Sequence, residues 1–216
     1  MNALCYTLQS DGPTDRMLLP ILNWLLSVHL PDHAVTPQFA DLRSAQPTKG
    51  LVNRIRMALF LYPCDVLFVH RDAENDDPGV RVIEIEKSIK ALNTKMVIPR
   101  CVPVVPVRMS EAWLLINERA IRRASGNPNG KSHLALPNIK TLEKQPDPKT
   151  LLRELLRNAC GLQGRRLKNF NAEARVPQVA GWIDDDFTPL RALSAFQKLE
   201  SDIGQLAFEI TNDHEQ

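Results

Sequence analysis

The residues best equipped for chemistry lie in Asp65–Asp77, DVLFVHRDAENDD, where the apolar run Val66, Leu67, Phe68, Val69 stops at Asp72, Glu74, Asp76 and Asp77. Asp72 and Glu74, two residues apart, can turn to one side of the chain and share a divalent cation through oxygen, the donor Mg²⁺ prefers. Asp11, in Ser10-Asp11-Gly12-Pro13-Thr14-Asp15, ends an earlier apolar run and completes the set. The expectation is a metal site held by Asp11, Asp72 and Glu74, with Asp76 and Glu111 as further acids. A cation held there polarises a phosphodiester and generates hydroxide from bound water. Arg16, Arg71 and Arg108 are the nearest bases in sequence for phosphate, joined by Lys131 if its loop folds back. Each acid also has a plainer account. Asp11 is a good turn former, and Glu111 after Ser110 fits a helix start, with Ser110 as cap and the acid favoured by the helix dipole.

These side chains need a scaffold that delivers strand ends to one rim. A run of β-branched and aromatic residues bounded by charge reads as a strand buried on both faces, the mark of a parallel sheet, and such sheets bind ligands at their carboxyl ends. Ala3–Leu8 reads as a first strand. Gly12 permits a tight turn, Thr14 caps, and a helix follows over Asp15–Val28, with Pro20 in its second turn. Ala34–Phe39 reads as a strand, Leu51–Leu61 as a helix stopped by Pro63, and Val80–Leu92 as another helix. Met96–Val107, MVIPRCVPVVPV, is extended and near a sheet edge, because its prolines forbid helix. Alternating strands and helices to about residue 125 indicate a layered α/β domain. Beyond Ser125 the chain turns polar and proline-rich. Helices follow at Pro148–Ala159, near Ala174–Trp182, and at Thr188–Ile203, with disorder from Thr211 to Gln216. The division is an α/β domain over 1–125 and a basic loop with a helical cap over 126–210.

Composition narrows the class. The 216 residues are 44% hydrophobic and 24% charged with a formal charge of +2, values ordinary for a globular protein. The distribution is uneven. Asp65–Asp77 has five acids against Arg71, whereas Lys131–Phe170 has nine Lys and Arg against Glu143, Asp147 and Glu154. An acidic metal site beside a basic surface suits an enzyme acting on a polyanion, although a basic stretch is also an ordinary solvated face. Cys5, Cys64, Cys101 and Cys160 are scattered with no CxxC pair, which argues against a zinc or disulfide framework and fits a reducing cytoplasm. No cleavable leader is legible at Met1–Ser10. Met17–Leu30 is too short and too polar to span a bilayer.

With these pieces the sequence resembles the Toprim domain, the compact α/β fold shared by topoisomerases, primases and OLD-type nucleases. The nearer likeness is to small stand-alone Toprim-like proteins found beside ATPases in bacterial islands, anti-phage defence loci among them. The family pattern is an acid followed by Gly at the end of the first strand, then Asp-x-Asp at the end of a later one, gathered on magnesium. Asp11-Gly12 and Asp72-Ala73-Glu74 take those places. Val107-Arg108-Met109-Ser110-Glu111-Ala112-Trp113-Leu114 resembles a further segment of the family. The likeness runs over Met1–Ser125 and more loosely through Pro189–Leu199. It departs in Asp11, one methylene shorter than the usual Glu, and in Glu74, one longer than Asp. Another register pairs His70 with Asp72, and a neutral imidazole suits Mn²⁺ or Zn²⁺ better than Mg²⁺. The expectation keeps Asp72 with Glu74, and leaves His70 to pack or hydrogen-bond at the strand end.

The resemblance implies an α/β fold, a Toprim-like Rossmannoid parallel sheet flanked by helices, with a C-terminal helical subdomain. It implies a Mg²⁺- or Mn²⁺-dependent endonuclease acting on DNA or RNA, the effector of an antiviral defence system. No GxxxxGK[ST] occurs, so any ATP hydrolysis must come from an ATPase partner. A homo-oligomer is open. The main rival is a catalytically eroded Toprim-like regulatory or binding subunit of an ATPase complex, and a third reading is a phosphatase or phosphotransfer enzyme of doubly wound type.

Overall fold

The computed structural model describes residues 2–43, 49–74, 76–92, 97–183 and 186–213. Its centre is a four-stranded, all-parallel sheet in the order β2-β1-β3-β4. The strands are β1 (Asn2–Gln9), β2 (His33–Phe39), β3 (Val66–His70) and β4 (Arg100–Val104). Every residue of β3 is buried, as expected for an inner parallel strand. β4 is an edge strand and holds Pro103 opposite Val69. The proline-rich stretch is thus extended at an edge, although its first residue, Met96, lies outside the described residues.

Helices cover both faces, and strand alternation decides which side chain meets which helix. Tyr6, Leu8, Val66 and Phe68 face α1 (Leu18–His29) and share its core cluster. Leu67 and Val69 face the other way, onto α2 (Leu51–Leu61) and α3 (Pro78–Lys90). His70, two residues beyond Phe68, belongs by the same alternation to the α1 side.

Several helix starts differ from expectation for local reasons. Pro13–Met17 forms a 3-10 turn before α1, so the predicted helix over Asp15–Val28 begins later, at Leu18. Gly12 takes the cap position that Thr14 was expected to fill, and the Asp15 carboxylate accepts the Gly12 N–H at 3.0 Å. Gly12 has φ −145°, an extended conformation open to any residue, so the turn does not demand glycine there. Pro20 falls in the first turn of α1, where its missing N–H removes no helical hydrogen bond. α3 starts at Pro78, ahead of the predicted Val80, because Asp77 caps it through the Gly79 N–H at 2.7 Å. Ser110 does not cap. Met109 holds that position and Ser110 opens a 3-10 turn, Ser110–Leu114.

The remaining helices are α4 (Glu118–Ala124), α5 (Pro148–Ala159), α6 (Gly164–Lys168), α7 (Val176–Gly181) and α8 (Ser194–Asp213). The last extends past the predicted Ile203 and includes Thr211–Asp213, which were expected to be disordered; residues 214–216 lie outside the described residues. Glu143 holds the start of α8 from the distant 3-10 turn Ile139–Lys144, accepting the Ser194 hydroxyl and the Ala195 N–H, each at 2.9 Å. Residues 126–210 bury Leu152, Val179, Phe187, Phe196 and Ile203 in the same cluster as Leu4, Leu22 and Phe68. The C-terminal helices therefore pack as part of the α/β core. Among the described residues no helix is long and apolar enough to cross a membrane.

Candidate functional site

β3 ends at His70, which is 1% exposed. Its Nδ1 lies 2.9 Å from the Val104 carbonyl oxygen, which can only accept, so Nδ1 carries a hydrogen and donates. That bond fixes the ring across the β3–β4 pair and aims Nε2 at two carboxylates. Asp72 Oδ1 is 3.4 Å away and Asp15 Oδ1 3.9 Å. Both acids are themselves held. Asp72 Oδ1 accepts the Ser110 N–H at 2.9 Å, and Asp15 is tied to Gly12. Glu111, 3% exposed, follows Ser110 and lies 3.6 Å from Lys149 Nζ at the start of α5. Lys149 in turn approaches Glu173 at 3.9 Å. Among the described residues the buried Ser110 hydroxyl has no hydrogen-bond partner.

The electrostatics follow from burial and crowding. Burial pushes the Asp15 carboxyl above its ordinary range; the Asp72 charge adds to this, while His70 and the Gly12 N–H oppose it. Glu111 is raised in the same way by burial, with Lys149 opposing and the Asp72 and Asp15 charges adding. For His70, burial alone favours the neutral ring. The hydrogen bond and charge of Asp72, the charge of Asp15 and the Val104 carbonyl outweigh it and raise the ring to about 9.

Asp11 lies elsewhere, between Arg54 of α2 and Arg71, which follows β3. Its Oδ1 meets Arg54 Nη1 at 2.6 Å and its Oδ2 meets Arg71 Nε at 2.9 Å. The Arg71 contact is ionic without hydrogen-bond alignment, since among the described residues Nε has no hydrogen-bond acceptor. Arg71 also binds Glu84 at 2.8 Å, Glu84 binds Arg81 at 3.2 Å, and Arg81 binds Asp76 at 2.8 Å. The result is an alternating chain from Arg54 through Asp11, Arg71, Glu84 and Arg81 to Asp76. Glu74 is exposed, with φ +56°, a left-handed conformation uncommon for a residue with a side chain. Its N–H donates to the Arg108 carbonyl at 2.9 Å.

The five expected acids thus divide. Asp72 and Glu111 stay together on the α1 side, joined by Asp15, while Asp11 and Asp76 join the arginine network on the α2/α3 side. Among the described residues no group of three or more His, Cys, Asp or Glu is placed to hold a metal ion. Of the expected set, Asp11, Asp76 and Glu111 each lie against an arginine or lysine, namely Arg54 with Arg71, Arg81 and Lys149, and Asp72 lies beside the His70 ring, while Glu74 is exposed.

Comparison with family models, curated proteins and solved structures finds no match.

The bases expected to meet phosphate are also dispersed. Arg16 sits over the Phe39 ring at 4.7 Å and 3.7 Å from Asp41, at the end of β2. Arg71 is in the network above, and Arg108 supplies its carbonyl to the Glu74 loop. Lys131 is exposed in a loop that Ser132 ties to Asn158 at 3.1 Å. Asn158 and Lys149 are nine residues apart on α5, roughly 13 Å along its axis. The lysine that reaches the acids is Lys149. A cavity of about 210 Å³ opens beside Asp11, lined by Ser10, Gly12, Phe39, Asp41, Arg43 and Arg54, and does not reach His70. Sequence reasoning passed over Asp15 and Lys149, and left His70 to pack or hydrogen-bond at the strand end, where it meets the Val104 carbonyl. A signal existed for Asp15: an acid three residues past the turn glycine can reach back to the open N–H at the helix start. No local pattern marks Lys149.

Proposed function

We propose that this chain is a Toprim-like binding or regulatory subunit that works without a resident metal, engaging nucleic acid through its arginine-rich side and an ATPase partner that supplies nucleotide hydrolysis. One observation supports this reading: Asp11, Asp76 and Glu111 each lie against an arginine or lysine and Asp72 lies beside His70, so four of the five acids expected at the site already have basic partners. Arg54 keeps an exposed carboxylate partner in Asp11, and Arg43, itself exposed, pairs with the half-buried Asp41; phosphate oxygens can replace such contacts at little cost. Calorimetry with Mg²⁺ and Mn²⁺ tests it together with incubation on DNA and RNA. The expected result is no cation binding and no metal-dependent cleavage in either wild type or Asp72→Ala.

A second reading, the phosphodiester hydrolase of an antiviral defence system, draws support from a different observation. Asp15 and Glu111, both buried, and the half-buried Asp72 act on one another electrostatically at the carboxyl edge of the sheet, and perturbed ionisable groups gather at active sites. Metal-dependent cleavage that Asp72→Ala abolishes would establish it over the first.

A further inference from the structure

The Lys and Arg of Lys131–Phe170 are not spread evenly over the folded surface. α5 buries Leu152, Leu155, Leu156 and Ala159, which leaves Arg153 and Arg157, four residues apart, on one outer flank. After α5 the chain turns through Gly161 and Gly164, whose φ of +68° and +55° lie in the left-handed region that favours glycine. α6 follows, and Phe170, half-buried against the core, pins its far end. The result is a cleft of about 360 Å³ lined by Arg153, Arg157, Lys168, Asn169, Phe170 and Asn171. It shares no residue with the cavity beside Asp11.

Charge is left over here. The carboxylate that lines the cleft, Glu173, is taken up by Arg153 and lies 3.9 Å from Lys149. Among the described residues, Arg157, Arg165, Arg166 and Lys168 are exposed and have no ion-pair partner, whereas Arg54 and Arg71 are answered by Asp11. Exposed cations gathered in a concave site are the electrostatic footprint of a polyanion. Asn171 spends its carbonyl oxygen on the Ala174 N–H at 3.1 Å, so its amide NH2 is the end that can donate outward. The Phe170 ring adds a face on which a base can stack. Duplex DNA is read by an element that enters its groove, and α6, with five residues, is too short for that. A lipid surface calls for an apolar helix face lying in its plane, and this site is a cleft.

We propose that the cleft between α5 and α6 binds single-stranded nucleic acid, with Arg157 and Lys168 on phosphates and Phe170 against a base. The proposal rests on the reading of the chain as a nucleic-acid binder and adds a second surface, with no residue in common with the Asp11 cavity.

The test is fluorescence anisotropy of the intact chain with a labelled single-stranded oligodeoxynucleotide of mixed sequence, titrated at several salt concentrations. Wild type is expected to bind, less tightly as salt rises. Arg157→Ala combined with Lys168→Ala, both at exposed positions, is expected to weaken binding at least about tenfold. It should also flatten the slope of log affinity against log salt by about 1.4, the value for two phosphate contacts on a single strand. Phe170→Leu keeps an apolar side chain against the core and is expected to weaken binding at least about fivefold with the slope unchanged. An unchanged affinity in Phe170→Leu overturns the stacking role. If the Arg157/Lys168 variant binds like wild type while Arg43→Ala combined with Arg54→Ala loses binding, the cleft is overturned and the Asp11 side stands as the contact surface. The reverse pattern supports the cleft and overturns the Asp11 side, and loss in both variants supports both surfaces. A duplex of the same sequence, polyglutamate or phosphatidylserine vesicles bound more tightly than the single strand would overturn the choice of ligand. A wild type that binds no oligonucleotide overturns both the cleft and the reading of the chain as a nucleic-acid binder.

Discussion

Two ion clusters lie on opposite sides of the same sheet edge, and they are built on different principles. On the α2/α3 side, Asp11, with 42% of its side chain exposed, is shared between Arg54 and Arg71, and the network continues through exposed Asp76. Water and salt screen such pairs, and each contributes about 0–1 kcal/mol. On the α1 side, His70, Asp15 and Glu111 are nearly sealed off, so each charge depends on its protein partner. Breaking a buried pair strands the survivor, which costs far more than the pair itself contributes. The same residue types therefore yield replaceable contacts on one side and an obligatory constellation on the other.

The sharpest way to break this comparison is to remove the central member of each cluster. His70→Ala leaves Asp15 and Asp72 facing each other without a counter-charge, and the expected loss of stability is about 3–5 kcal/mol in urea unfolding. Arg54→Ala leaves Asp11 exposed and still paired to Arg71, and the expected loss is at most about 1 kcal/mol. Equal losses in the two variants would erase the distinction. High salt should weaken the Arg54 contribution and leave that of His70 nearly unchanged.

A pH series sharpens it further. The His70 ring is held above its ordinary value of 6.5, at about 9. The native state therefore binds this proton more tightly than the unfolded chain does. The contribution is fully present below pH 6.5 and lost as pH rises through about 9, and the shift corresponds to roughly 3 kcal/mol. Denaturant midpoints should fall across that window in wild type and lose this component in His70→Asn. Glu111 and Asp15 act with the same sign at lower pH, since each carboxyl is raised by burial and its stabilising proton departs as pH increases.

These contrasts also mark what the chain discloses by itself. The helices Leu51–Leu61 and Pro148–Ala159 were legible to the residue, because Pro63 and Pro148 punctuate them and their apolar residues recur at helical spacing. The parallel sheet was legible in the unbroken burial of Val66–Val69. The side of the sheet on which each acid lands was not. Alternation fixes side-chain direction only within a strand, and Asp11, Asp72 and Glu74 all lie in irregular chain just past strand ends. Asp11 and Asp72 looked equivalent by position, yet Arg54 draws the first toward α2 while the Ser110 N–H holds the second beside Glu111. Lys149 was illegible for another reason: its meeting with Glu111 depends on how α5 packs against the Ser110–Leu114 turn.

Lys149 gives a smaller contrast, between two lysines of the same basic stretch. Lys149→Met removes the cation nearest to buried Glu111, which can respond by taking up a proton. The expected loss is about 1–2 kcal/mol near neutral pH, shrinking on acidification as Glu111 becomes neutral in its own right. Lys131→Met, on the exposed loop, should stay within about 0.5 kcal/mol of wild type. Parallel unfolding curves for the two at pH 5 and pH 7.5 check the pair, and a pH-independent loss in Lys149→Met would mean that the lysine packs and does not balance charge.

The smallest expected effect concerns Gly12, the glycine that made Asp11-Gly12 look like a ligand-binding turn. Its φ of −145° strains no side chain, and a methyl there would meet Thr14 Oγ1 at 3.8 Å and Asp15 Oδ2 at 3.9 Å, both ordinary contacts. Its N–H is already given to Asp15. Gly12→Ala should therefore change stability by no more than about 0.5 kcal/mol, with slight stabilisation possible because alanine loses less chain entropy on folding. Nucleic-acid binding, followed by fluorescence anisotropy on the same variant, separates two roles for the residue. If both stability and binding survive, the turn exists to orient Asp15 toward His70. If stability survives and binding falls, the bare backbone at Gly12 is a surface that phosphate approaches, and the open, arginine-rich side of the sheet edge is where the ligand lies.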